Sequence, residues 1–161
     1  MKKKAGGKSD TQLVCTYRKA LQRFEIEERM EAGLVLRGSE VKSLRERHAD
    51  LEGSYAAMEG GELYLHKMHI GPYEKASAFG HESKSSRKLL MHRHELQRLQ
   101  GKLSLRGFTL IPLQIYFKGG YAKVELGLAT AKKMADRRES LKREQALREA
   151  KAAMQRARGR G

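Results

Sequence analysis

The chain has 161 residues, with 34 Lys+Arg against 19 Asp+Glu, a formal net charge of +15 and a sequence pI near 10.1. A single domain is the natural expectation at this length, and the basic excess favours a polyanionic partner, nucleic acid before an anionic membrane surface. One cysteine, Cys15, excludes an intramolecular disulfide and fits a reducing compartment, and no apolar stretch approaches the ~20 residues of a membrane-spanning helix.

The charge is concentrated at the ends. Residues 1–19 carry a net +5 and residues 132–161 a net +7, around a middle that is nearly balanced. The opening Met-Lys-Lys-Lys-Ala-Gly-Gly-Lys has no apolar run behind it, so it does not read as a secretory signal, and a cytoplasmic protein is expected. Basic segments with few apolar residues cannot bury enough surface to offset their ordering entropy. The chain therefore divides into a flexible basic arm (1–13), a β-rich body (14–130) and a basic tail (131–161), helical or disordered.

Taken in order, the body reads mainly as strands. Phe24, Ile26 and Met30 share one parity between charged residues, the pattern of a half-buried strand. Gly33 suggests a bulge or bend before Leu34 and Leu36. Ser39 is a candidate cap for a short helix with Val41 and Leu44 on one face. Residues 54–59 and 62–70 flank Gly60-Gly61 and form a hairpin. Residues 71–86 have turn formers and no period, a long loop. From Ser86, the spacing of Leu89, Leu96 and Leu99 predicts a helix closed by Gly101. Residues 111–117 and 124–128 alternate around Gly119-Gly120, a second hairpin, with Pro112 at an edge or a bulge. About six short strands with flanking helices predict a closed antiparallel β-barrel of the oligonucleotide-binding type. The segment from Ala131 has high helix propensity, but Leu141, Leu147 and Met154 make no wide apolar stripe.

No Walker loop or dinucleotide fingerprint is present. His66 and His69 fall on opposite sides of a predicted strand, and His92 and His94 are not neighbours on a predicted helix. No cofactor and no catalytic group is expected. Glu31 and Glu40 read as partners of nearby cations. Tyr17, Tyr73 and Phe79 are candidates for stacking on bases, and Arg87-Lys88, at the predicted helix start, for phosphate contact. These features fit an RNA-binding barrel, and a structural ribosomal protein equally.

Several segments narrow this. Residues 31–45 (Glu-Ala-Gly-Leu-Val-Leu-Arg-Gly-Ser-Glu-Val-Lys-Ser-Leu-Arg), His-Ile-Gly-Pro-Tyr-Glu (69–74), Arg-Lys-Leu-Leu-Met-His (87–92), Tyr-Phe-Lys-Gly-Gly (116–120), Lys-Val-Glu-Leu-Gly-Leu-Ala (123–129) and Lys-Lys-Met-Ala-Asp-Arg-Arg (132–138) occur in one order. In that order they resemble the SsrA-binding protein family, also called small protein B, from about residue 14 onward. The resemblance implies a non-enzymatic factor with an oligonucleotide-binding-type barrel. It binds transfer-messenger RNA and, with elongation factor Tu and GTP, delivers it to ribosomes stalled on broken messages. The body would stand in for the missing anticodon arm, and the tail would occupy the empty messenger channel near the decoding centre of the small subunit. By position, Glu31, Leu90 and Lys123 would form the RNA face, with Arg45, Arg87, Lys88, Arg18 and Lys19 as neighbours. Lys132, Lys133, Asp136, Arg137 and Arg138 would form the ribosome-binding part of the tail. Ala131, Ala135 and Tyr17 stand where relatives usually have Gly, a ring and Asn.

Overall fold

A computed structural model describes residues 11–73, 80–105, 107–132 and 134–159, with the side chains of 134–137 outside the description. The elements run β1 (Thr11–Thr16), α1 (Ala20–Arg23), β2 (Phe24–Leu34), α2 (Gly38–Arg45), β3 (Ala49–Asp50), β4 (Tyr55–Glu59) and β5 (Glu62–His66). They continue with β6 (His69–Ile70), β7 (Arg87–Leu90), α3 (Arg93–Leu103), β8 (Phe108–Lys118), β9 (Tyr121–Ala131) and α4 (Met134–Arg158).

The main sheet is antiparallel, and its pairings return to their start. From β8 they pass through β4, β5, β7 and β2 to β9, which pairs with β8 again. Six strands thus form a ring, the number expected from the alternating segments. The seventh, β1, adds to the far half of β8, where Thr11–Thr16 pair with Lys118–Gln114. Thr11–Leu13, assigned to the arm by charge, therefore lie in the sheet. Residues 1–10 and Phe79 lie outside the described residues.

Alternation explains the core. In β2 the even positions from Phe24 to Leu34 are at least half-buried, while Glu25, Glu27, Arg29 and Glu31 are exposed. Leu63, Leu65, Leu110, Ile115, Leu126 and Leu128 are fully buried inside the ring. Both predicted hairpins form, but the second arm of the first ends at His66 rather than Ile70, since His69–Ile70 is β6, which pairs with β3 in a separate two-stranded sheet. Gly60 and Gly61 have φ of 59° and 79°, and Gly119 and Gly120 of 57° and 82°, the left-handed pair that a two-residue turn requires. Pro112 sits at a register shift, because Pro112 pairs with Leu126 and Gln114 with Glu125, leaving Leu113 as the extra residue.

A side chain is excluded at Gly127 by close approach. A Cβ there would lie 3.1 Å from Leu113 Cδ1 and 3.2 Å from Ile26 Cγ2. Gly127→Ala is expected to destabilise the fold by about 1–3 kcal/mol through overpacking, seen as a lower urea midpoint with an unchanged slope.

Four expectations are corrected. The helix predicted from Ser86 is two elements: Arg87–Leu90 is strand β7, and the helix runs Arg93–Leu103 with Gly101 inside it. Gly33 bends nothing; it lies within β2, and that strand's bulge falls between Ile26 and Glu28. Arg37, not Ser39, starts α2, its backbone N–H donating to Glu40 Oε1 at 3.0 Å. His92 and His94 do meet. His92 is extended before α3, so its ring stacks on that of His94 with centroids 5.7 Å apart.

Candidate nucleic-acid interface

Cross-strand register builds the site. In antiparallel pairs, residues directly opposite share a face. Leu90 on β7 pairs with Gly33 on β2, Gly33 with Lys123 on β9, Lys123 with Tyr116 on β8, and Tyr116 with Leu13 on β1. Five strands contribute one residue each to an outward-facing row. Gly33 has no side chain, so the row is hollowed between Leu90 and Lys123. Glu31, two residues back on β2, shares that face. The hollow has a volume of about 660 Å³, and Glu31, Leu90 and Lys123 all line it.

Each of the three is held differently. Leu90 is 54% exposed, an outward apolar side chain with no core to join. Lys123 is half-buried at the centre of the row. Glu31 accepts a hydrogen bond from the Tyr116 hydroxyl, and Lys118 Nζ stands 3.5 Å from the same oxygen. The Tyr116 hydrogen bond, with help from Lys118 and Lys123, holds the Glu31 carboxyl below the usual carboxylate range. Burial, reinforced by the hydrogen bond to Glu31, pushes the Tyr116 phenol well above its ordinary value, so it keeps its proton as donor.

The hollow's rim is made of neutralised pairs. Glu28 meets Arg98 and, at 3.1 Å, Lys102; Arg29 meets Glu125 at 3.0 Å. His92 and Glu95 sit at the start of α3, where Glu95 Oε2 accepts from the His92 backbone at 3.4 Å.

The remaining expected residues are scattered. Lys88, two residues before Leu90 on the same face of β7, lines an adjoining hollow with it. Glu62 takes up the Lys88 ammonium at 2.9 Å, and that pairing raises the Lys88 pKa. Arg87 must be removed from the RNA face. Its side chain is 2% exposed and ion-paired with buried Glu40, so no phosphate can reach it. The idea that Arg87-Lys88 opens a helix and gains from its dipole falls with the helix.

Arg45, at the end of α2, lies over the Phe117 ring at 4.4 Å and does not line the hollow. Arg18 and Lys19 follow β1 on the surface, Lys19 3.4 Å from Glu52, again away from the hollow. Tyr17 is a core residue, 7% exposed, so it has no face to offer a base. Tyr73 lies beneath Lys42 at 5.4 Å. In the tail, Lys132 Nζ donates to Ser140 Oγ at 2.6 Å, and Arg138 is exposed. Lys133 lies outside the described residues, as do the side chains of Asp136 and Arg137.

Tyr116, Lys118 and Gly33 belong to the site but were not singled out as site residues by the sequence. The available signal was parity: Tyr116 falls between the inward Ile115 and Phe117.

A small antiparallel ring with a hollowed, partly basic outer face is the architecture of the RNA-binding β-barrels. The comparisons specify it further. Residues 14–156 match the family model described as SmpB protein. The SsrA-binding protein of Carboxydothermus hydrogenoformans is 50% identical over 142 residues, 88% of this chain and 95% of that protein. The SsrA-binding protein of Desulforudis audaxviator is 52% identical over 136 residues, 84% of this chain and 89% of that one. Among solved structures, one described as "tmRNA-SmpB: a journey to the center of the bacterial ribosome" matches with a TM-score of 0.64 and 48% identity. It covers 79% of this chain and 93% of the other. The chain belongs to the SmpB family.

Proposed function

We propose that this protein binds transfer-messenger RNA through the hollow over Gly33 and brings it to stalled ribosomes for trans-translation. One observation carries the reading. In a chain that matches SsrA-binding proteins over most of its length, β-sheet register brings Glu31, Leu90 and Lys123 from three strands onto one concave face. Lys123 supplies charge for a phosphate, Leu90 an apolar contact, and Glu31 an acceptor for an RNA donor.

Labour divides along the chain. The body grips the tRNA-like part of the RNA and takes the place of an anticodon arm. The tail, through Lys132, Lys133, Asp136, Arg137 and Arg138, engages the empty messenger channel. Elongation factor Tu with GTP joins through the charged RNA, and the work is done in the cytoplasm. Among the described residues no helix is long and apolar enough to cross a membrane.

Binding measurements with the full chain test this. At matched salt the protein is expected to prefer transfer-messenger RNA to tRNA, and equal affinity for both would refute the reading. Lys123→Ala should weaken binding and reduce the magnitude of the log–log salt slope by about 0.9, one phosphate contact.

A further inference from the structure

α4 lacks the apolar stripe that would seat it on the barrel, and Leu141, Leu147 and Met154 stay exposed. Its attachment begins at Lys132, whose backbone N–H donates to the Arg23 carbonyl at 2.9 Å, at the end of α1. A helix hung from one point swings. α4 runs 25 residues from there, about 38 Å at 1.5 Å per residue, so a swing of about 15° carries its tip through about 10 Å.

A second attachment lies at Glu144, about 15 Å along the helix from Met134. Gln22 on α1 donates through Nε2 to Glu144 Oε2. The other oxygen, Oε1, accepts from Arg148 Nη2 at 2.7 Å, one turn further on, so the carboxylate is oriented from within α4. α1 is a firm footing. Ala20 is 1% exposed, and the Tyr17 backbone N–H ties the approach to α1 to the Leu113 carbonyl at 2.8 Å. Arg23 is turned to Tyr17 and Glu52, at 3.3 and 3.4 Å. Among the described residues, Gln22 is therefore the one α1 side chain hydrogen-bonded to α4.

Side-chain packing does not set the angle instead. An open cleft of about 400 Å³ separates the two helices, lined by Gln22, Leu141, Glu144, Gln145 and Arg148. Lys132 Nζ donates to Ser140 Oγ at 2.6 Å, which stiffens the stretch between the two attachments. Past Glu144 the described side-chain hydrogen bonds stay within α4. That far part, 145–158, holds four Lys/Arg against Glu149.

We propose that Gln22 is a positioning residue for the tail: by holding Glu144 it fixes the direction in which α4, with its basic far half, leaves the barrel. A preset direction reduces the ordering entropy lost when the tail binds. This rests on the tail acting in the messenger channel, and it adds how the barrel presents that tail.

The test uses the full chain. Nitroxide labels go on Glu27→Cys in β2 and Met154→Cys in α4, both exposed positions, in a Cys15→Ala background. Pulsed electron resonance is expected to give one narrow distance distribution. Gln22→Glu sets two carboxylates against each other and should broaden it. Gln22→Glu combined with Glu144→Gln exchanges donor and acceptor at unchanged net charge and should narrow it again. In a reconstituted translation system with a truncated message, unlabelled Gln22→Glu should tag about threefold to tenfold more slowly, the equivalent of one partly exposed hydrogen bond to a charged group. The double variant should regain most of that rate, and affinity for transfer-messenger RNA should not change in either. A broad distribution with Gln22 and Glu144 intact, or tagging that Gln22→Glu leaves unchanged, would overturn the proposal. So would a loss that the double variant does not restore, or one matched by weaker RNA binding. Normal tagging by the chain lacking 132–161 would instead remove the reading on which the proposal rests.

Discussion

Arg87→Ala is expected to destabilise the protein by about 3–5 kcal/mol, the cost of leaving a buried charge without its partner. Arg87 is 3% exposed and Glu40 is 4% exposed, and the two side chains are ion-paired. The guanidinium does more than neutralise Glu40. Its Nη1 donates to the carbonyls of Met68 at 2.7 Å and Ser85 at 3.0 Å, and its Nη2 to those of Ser83 at 3.2 Å and Glu82 at 3.4 Å. One side chain thus ties α2, β7 and the end of the long loop together. Alanine would leave a buried carboxylate and several carbonyls unsatisfied. Denaturant unfolding measures the loss, and the double variant Arg87→Met with Glu40→Leu should cost less than the sum of the two single changes. Lys88→Ala is the control, because its exposed pair with Glu62 should leave the midpoint where it is. A midpoint for Arg87→Ala within error of wild type would show that the pair is not structural.

The failure of sequence reading at β7 has the same origin. Arg87 points inward, Lys88 outward, Leu89 inward and Leu90 outward. A half-buried strand should alternate apolar inside with polar outside. Here a charged residue is inside, where Glu40 satisfies it, and a leucine is outside, in the hollow. Both exceptions break the strand pattern, and Leu89, Leu96 and Leu99 then imitate a helical face. The long strands had no such conflict. In β2, β8 and β9 parity and paired glycines marked strand and turn, and the missing donor of Pro112 pointed to an edge or a bulge, of which the structure shows the bulge. Local rules fail where a site or a buried ion pair uses a residue against type.

The candidate site was harder to read for a geometric reason. Glu31, Leu90 and Lys123 are far apart in sequence and meet only because β7, β2 and β9 pair in one register. No local motif encodes that, and only the family resemblance selected the three. Resemblance also carried neighbours that geometry separates. Arg45, at the end of α2, lies over the Phe117 ring, and Arg87 pairs with Glu40; the first depends on how the helix packs on the sheet and the second on which way a strand residue faces, and neither is visible in the sequence. Tyr17 shows the converse. An aromatic residue in a basic stretch looked like a base-stacking group, but its backbone N–H donates to Leu113 O at 2.8 Å, which draws it into the core.

Deleting residues 132–161 is expected to abolish tagging of stalled chains while sparing RNA binding by the body. The segment carries a net +7, a charge suited to a polyanion, and its helix gives the barrel little. Leu141, Leu147 and Met154 of α4 are 49%, 62% and 67% exposed. The segment's described hydrogen bonds to the body are polar ones at α1, from Gln22 to Glu144 and from the Lys132 backbone N–H to the Arg23 carbonyl at 2.9 Å. Exposed i,i+4 pairs, such as Arg148–Glu144 at 2.7 Å, support the helix from within by a few tenths of a kcal/mol each. Almost no core is lost with it, so the truncated protein should unfold at nearly the wild-type midpoint and retain its Lys123-dependent binding. A reconstituted translation system with a truncated message then reads tagging directly. Normal tagging by the truncated protein would refute a role for the tail. Lost tagging together with lost RNA binding would move the tail into the RNA grip and overturn the division of labour. Retained binding with no tagging is the expected result. It would mean that the barrel delivers the RNA, and that the arm of Arg and Lys must still find the empty channel before the ribosome accepts it.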